Sequence, residues 1–79
     1  MSGRPVKHSL TLRGHRTSVS LEDEFWDAFR EIARQEGKPL NALAAEIDAA
    51  RGMESGLASA IRLYVLRHYR DRANGPTAP

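Results

Sequence analysis

The chain has 79 residues, a net charge of +2 and no cysteine. That bounds it to one small domain with little apolar surface to bury and no disulfide or thiolate metal site, so association with a second copy is an expected source of stability. No apolar run approaches the roughly 20 residues that cross a bilayer, and the start of the chain lacks the apolar stretch of a secretory signal, so a cytoplasmic protein with no membrane role is expected.

The small net charge conceals an uneven layout. Residues 1–21 carry Arg4, Lys7, Arg13 and Arg16 and no acid. Residues 22–54 are acidic overall, with Arg30, Arg34, Lys38 and Arg51 outnumbered by Asp and Glu. Residues 55–79 carry Arg62, Arg67, Arg70 and Arg72 against Asp71. Two basic ends around an acidic middle suit a polyanionic partner, and a dimer doubles both ends.

Residues 1–7, with Gly3, Pro5 and no periodicity, read as a disordered basic arm. Residues 8–13 alternate, with Leu10 and Leu12 apolar and Ser9, Thr11 and Arg13 polar, the pattern of a strand. Residues 16–21 alternate in the opposite phase, with Val19 and Leu21 apolar. Two structures produce the flip across Gly14-His15. One is a long ribbon with a bulge at Gly14. The other is a hairpin turning on Gly14-His15, which sets Leu10 opposite Val19, Leu12 opposite Thr17, and Arg13 opposite Arg16 as an unfavourable like-charge pair. Both keep residues 16–21 as the strand that matters; a lone strand of this kind needs a second one for its backbone groups, and the same segment of a second copy is the nearest good candidate. A two-stranded ribbon with polar side chains outward is one of the few β structures that fits the DNA major groove.

A first helix is predicted from near Glu22, capped by Ser20, with Glu22, Asp23 and Glu24 at the positive end of its dipole. Phe25, Trp26, Phe29, Ile32 and Ala33 form its apolar stripe. Gly37 stops it, and Pro39 opens a second helix with Leu40, Leu43, Ala44 and Ile47 on the buried face, ending at Gly52. A third helix is predicted from Glu54 or Ser55 to Arg72. Leu57, Ala60, Ile61, Tyr64, Val65 and His68 share one face; Leu63 and Leu66 lie on another, assigned to a partner subunit because a helix apolar on two sides is buried on two sides. Residues 73–79 read as a flexible tail. The fold class is therefore mainly α with a short N-terminal β segment, in a single domain spanning residues 8–72.

Strand, helix, Gly-containing turn and helix follow one another in the order of the ribbon-helix-helix family. The segment Arg16-Thr17-Ser18-Val19-Ser20-Leu21-Glu22, then Phe25-Trp26, Ile32-Ala33 and Leu57-Ala58-Ser59-Ala60-Ile61-Arg62 resembles that family's Arc and MetJ class, and more closely its small bacterial members. The resemblance implies an intertwined homodimer whose strands pair antiparallel across a two-fold axis, with the third helix as an addition. It implies a DNA-binding transcription regulator. By alternation, Arg16, Ser18 and Ser20 would contact base edges while Val19 and Leu21 face inward. The start of the family's second helix would hold a phosphate, which places Lys38, Leu40 and Asn41 near the DNA backbone; Pro39 has no N–H to offer. An alternative alignment makes the third helix the family's second and residues 39–50 an insertion. Arg4, Lys7 and Arg13 would reach along further phosphates. The dimer core would comprise Val19, Leu21, Phe25, Trp26, Phe29, Ile32, Leu43, Ile47, Ile61, Tyr64 and Val65. Glu22, at the ribbon's end, departs from what a DNA reader prefers.

Other chemistries find less support. Phe25, Trp26 and Phe29 at helical spacing are core rather than a base-stacking platform. His8, His15 and His68 are scattered and do not make a metal site. There is no phosphate loop and no nucleophile motif, so no enzyme activity and no cofactor are expected. The competing reading is a protein-interaction module or antitoxin-like dimer, in which the exposed apolar side of the third helix or the tail docks a second protein.

Overall fold

A computed structural model of the chain describes residues 3–52 and 56–74. Two strands, β1 (Val6–Leu12) and β2 (His15–Leu21), form an antiparallel hairpin. Three helices follow: α1 (Asp23–Gln35), α2 (Leu40–Ala50) and α3 (Leu57–Asn74). One face of the hairpin packs on the helices and the other faces solvent. Val6 and Lys7, read from the sequence as the end of the arm, are the first residues of β1. The predicted start of the third helix at Glu54 or Ser55 lies outside the described residues, as do residues 75–79 of the predicted tail; the tail's first two residues, Ala73 and Asn74, instead belong to α3, which runs past Arg72.

Of the two arrangements open for the first strand, the hairpin is the one formed, with a correction to its turn. The turn residues are Arg13 (φ 54) and Gly14 (φ 83), not Gly14-His15. Two successive positive φ values make a type I′ turn, whose twist matches that of the flanking strands. The register moves accordingly. His8 pairs with Val19, Leu10 with Thr17, Thr11 with Arg16 and Leu12 with His15. Arg13 leaves the ladder, so the Arg13–Arg16 repulsion does not arise. Leu10, Leu12, Val19 and Leu21 still share the buried face, because a two-residue slip preserves the sidedness of a strand. The hairpin also corrects the premise that residues 16–21 lack a partner strand in their own chain: β1 pairs with β2 along its whole length.

Arginine is a poor residue at positive φ, where asparagine and glycine are tolerated better. Arg13→Asn is therefore expected to stabilise the fold by about 0.5–1 kcal/mol, seen as a higher melting temperature, while removing a cation from the hairpin tip.

Ser20 does not cap α1; it is an exposed residue of β2. Glu22 precedes the helix, its carbonyl accepting the Trp26 N–H at 2.9 Å, and it makes no side-chain cap bond. The other end of α1 follows the sequence. Gly37 has φ 68, its N–H reaches the Arg34 carbonyl at 3.1 Å, and the Lys38 N–H reaches the Ala33 carbonyl at 3.0 Å. This pair of bonds is the Schellman stop, in which a left-handed residue turns the chain out of the helix.

The core is closed within one chain. Val19, Leu21, Phe29, Ile32, Leu43, Ile47, Ile61 and Val65 are buried together with Leu10, Leu12, Ala33 and Ala44. Phe25, Trp26 and Tyr64 pack half-buried around them. The residues expected at a dimer core thus bury themselves without a second copy. The outer side of α3 remains uncovered, with Leu63 and Leu66 at 44% and 49% exposure.

Candidate nucleic-acid interface

The solvent face of the hairpin follows from the register. Residues on one face of an antiparallel pair sit directly opposite each other, which couples Lys7 with Ser20, Ser9 with Ser18, and Thr11 with Arg16. All six side chains are exposed. The strands and their turn contain no acidic residue, and Arg13 and Arg4 add exposed cations at the tip and before β1. Arg16, Ser18 and Ser20 therefore stand on one solvent-facing surface, with Val19 and Leu21 turned into the core. Ser9 and Thr11 form a second polar row on the same surface. Their alternation is legible in the sequence; their place beside β2 is not, because it depends on which strand β1 pairs with.

Beneath the surface, β1 is fixed by an aromatic stack. The His8 ring lies flat on Trp26, with centroids 3.9 Å apart and planes inclined by 5°. Trp26 in turn meets Phe29 at 6.1 Å in a tilted arrangement. Through Trp26 the aromatic stripe of α1 thus meets His8 of β1.

Glu22 is not an acid directed at a polyanion. Its Oε1 accepts a hydrogen bond from Arg62 Nε at 2.9 Å. The guanidinium also donates to the Ser20 carbonyl at 3.4 Å and lies 5.9 Å from the centre of the Phe25 ring. Arg62 thus ties the end of β2, the start of α1 and α3 together. Its hydrogen bond holds the Glu22 carboxyl below the usual carboxylate range. A carboxyl depressed in the folded state adds stability above its unfolded value and loses it as pH falls through the folded one. Glu22→Gln is accordingly expected to lower the melting temperature at neutral pH, and the gap from the wild type should close below pH 4.5. Melting curves over an acid series would check this.

The start of α2 lies beside the hairpin. Asn41 Oδ1 accepts the Thr11 backbone N–H at 3.1 Å, bringing the first turn of α2 to the outer edge of β1. Leu40 is half-buried there. Pro39 precedes the helix without capping it by a side chain. Lys38 is occupied: its ammonium sits 2.9 Å from Glu46 and 3.6 Å from Glu36, and these carboxylates raise its pKa. A phosphate at Lys38 would compete with both. Tyr64 supports the same corner, its hydroxyl donating to Glu36 at 3.1 Å.

Among the described residues no group of three or more His, Asp or Glu is placed to hold a metal ion, and no helix is long and apolar enough to cross a membrane.

The hairpin thus presents a polar face free of acids, and helices pack on its other face. The family model described as "Ribbon-helix-helix domain" matches residues 5–69, and the chain belongs to that family. Ribbon-helix-helix domains are generally DNA-binding transcription regulators that dimerise, and the fold is a non-enzymatic one. No curated protein and no solved structure matched the chain.

Proposed function

We propose that this protein is a sequence-reading DNA-binding regulator of transcription that acts as a homodimer in the bacterial cytoplasm. The observation that carries this reading is the outward hairpin face, with Lys7 and Arg16 among short hydroxyl side chains and no acid. In the dimer, two β2 strands pair antiparallel and enter the major groove. Arg16 bonds a guanine through O6 and N7, the strongest source of base discrimination available here. Ser18 and Ser20 contribute contacts of low selectivity. Arg4, Lys7 and Arg13 add salt-sensitive attraction to phosphates, and the N–H groups of Leu40 and Asn41 offer a further phosphate site beside Lys38.

A salt-series fluorescence titration with labelled duplexes tests this. Binding that weakens steeply with salt, and that favours a duplex recovered by in vitro selection over a random one, is the expected result. Absence of salt-dependent binding to either duplex would refute it.

A second reading has its own observation, the exposed Leu63, Leu66 and Tyr69 on α3. In that reading the dimer docks another protein through this apolar face. Recovery of a stoichiometric protein partner by a chain that binds neither duplex would favour it.

A further inference from the structure

A ribbon of two β2 strands uses β1 only through the charge of Lys7, yet β1 presents half of the polar face. Its position in a dimer can be worked out from the edges of the hairpin. A two-residue turn makes its flanking pair, Leu12 and His15, a hydrogen-bonded pair, and such pairs then alternate along the ladder. The backbone groups of Lys7, Ser9 and Thr11 therefore point away from β2, and those of Arg16, Ser18 and Ser20 away from β1. Two observed bonds agree: the Thr11 N–H is taken by Asn41, and the Ser20 carbonyl by Arg62.

The two edges are not equivalent. The edge of β1 is covered at Thr11 by the first turn of α2, and α2 packs along this strand. The edge of β2 is met by α3 only at its end, where Arg62 reaches the Ser20 carbonyl; at Arg16 and Ser18, among the described residues, no helix group bonds it. A second copy therefore adds at β2, and the sheet order becomes β1-β2 of one copy followed by β2-β1 of the other. With strands about 4.8 Å apart, the two outer strands stand about 14 Å from each other. The major groove is about 12 Å wide. The inner strands fit over base edges; the outer ones fall on the phosphate rims.

We infer that β1 is a backbone-gripping strand, in which Lys7, Ser9 and Thr11 bind phosphates at the groove rims while base reading is left to β2. The inference rests on the DNA-binding reading above. The chemistry of the row agrees with it: lysine and short hydroxyl groups are common phosphate ligands and carry no sequence information. Charge complementarity is supplied by Lys7, Arg13 and Arg4 in a segment without acids.

The test uses the full chain, a duplex selected with the wild type, single base-pair variants of that duplex, and a random duplex. Lys7→Gln should weaken binding to all of them by a similar factor. It should also reduce the salt slope by about 0.9 for each phosphate no longer neutralised, about 1.8 per dimer. The double variant Ser9→Ala, Thr11→Ala should cost about tenfold on every duplex and preserve the ranking of the base-pair variants. These exposed positions leave the core intact, and unchanged melting temperatures would confirm it. A changed ranking would overturn the inference, because β1 would then be reading bases. Unchanged affinity on every duplex would overturn it as well, because β1 would then not touch DNA. A wild type that binds no duplex would instead remove the parent reading, and is seen before any variant is made.

Discussion

Arg16→Ala is expected to abolish most of the sequence preference while leaving the fold unchanged. A bidentate arginine–guanine contact is worth about 1–3 kcal/mol of discrimination, and a dimer makes it twice, so about 2–6 kcal/mol should separate wild type from variant on the selected duplex. On random DNA the loss should be smaller, one screened charge per chain. The ratio of the two affinities is the quantity to measure. Arg16 is exposed and pairs across the hairpin with Thr11, so its removal opens no cavity. Equal losses on both duplexes would make Arg16 a phosphate contact, and the choice of β2 as the reading strand would have to be abandoned.

The second large effect concerns stability. Phe29 is fully buried, packs against Trp26, and lies in the core shared by the hairpin and the helices. Phe29→Ala should cost about 3–5 kcal/mol, from the forfeited transfer energy and the cavity left behind. Folded domains hold only about 5–15 kcal/mol in total, and one of this size stands near the lower end, so the variant should be largely unfolded at physiological temperature. Chemical denaturation followed by the fluorescence of Trp26, the sole tryptophan, would measure it. A second copy or bound DNA adds stability by mass action. Wild type and variant gain alike, so it is the variant's unfolded fraction that should fall at high protein concentration or with the selected duplex present.

The two faces of the hairpin are unlike. Val19 and Leu21 anchor β2 in the core, and the alternation that buries them turns Arg16, Ser18 and Ser20 outward. Arg62 fixes the end of that strand through the Ser20 carbonyl and the Glu22 carboxylate. The polar face is thus held from below by residues that never reach it, and Glu22 at its border is already partnered by Arg62.

Much of this was legible in the chain itself. The opposed phases of residues 8–13 and 16–21 predicted two short strands with a break near Gly14, because side-chain direction alternates strictly along a strand. The stripe from Phe25 to Ala33 and the glycine at 37 predicted α1 and its stop, since both are set by neighbours within a turn or two of helix. The acid-free opening segment predicted where the cations would gather. Local spacing, backbone preference and charge are properties of short windows, and short windows are what a sequence displays.

Tertiary structure decided the rest. Whether β1 extends a ribbon or folds back on β2 was left open by the alternation, because both keep the same residues inward; the type I′ turn at Arg13-Gly14 settled it and moved the register. The Glu22–Arg62 pair, the hold of Asn41 on Thr11 and the His8–Trp26 stack join residues far apart in the chain. Lys38, expected from the sequence to lie near a phosphate, is held by Glu46 and Glu36 because α2 follows a tight turn out of α1. Such contacts depend on how elements pack against one another. No local pattern encodes that packing, since it is fixed by the shared core rather than by any one segment.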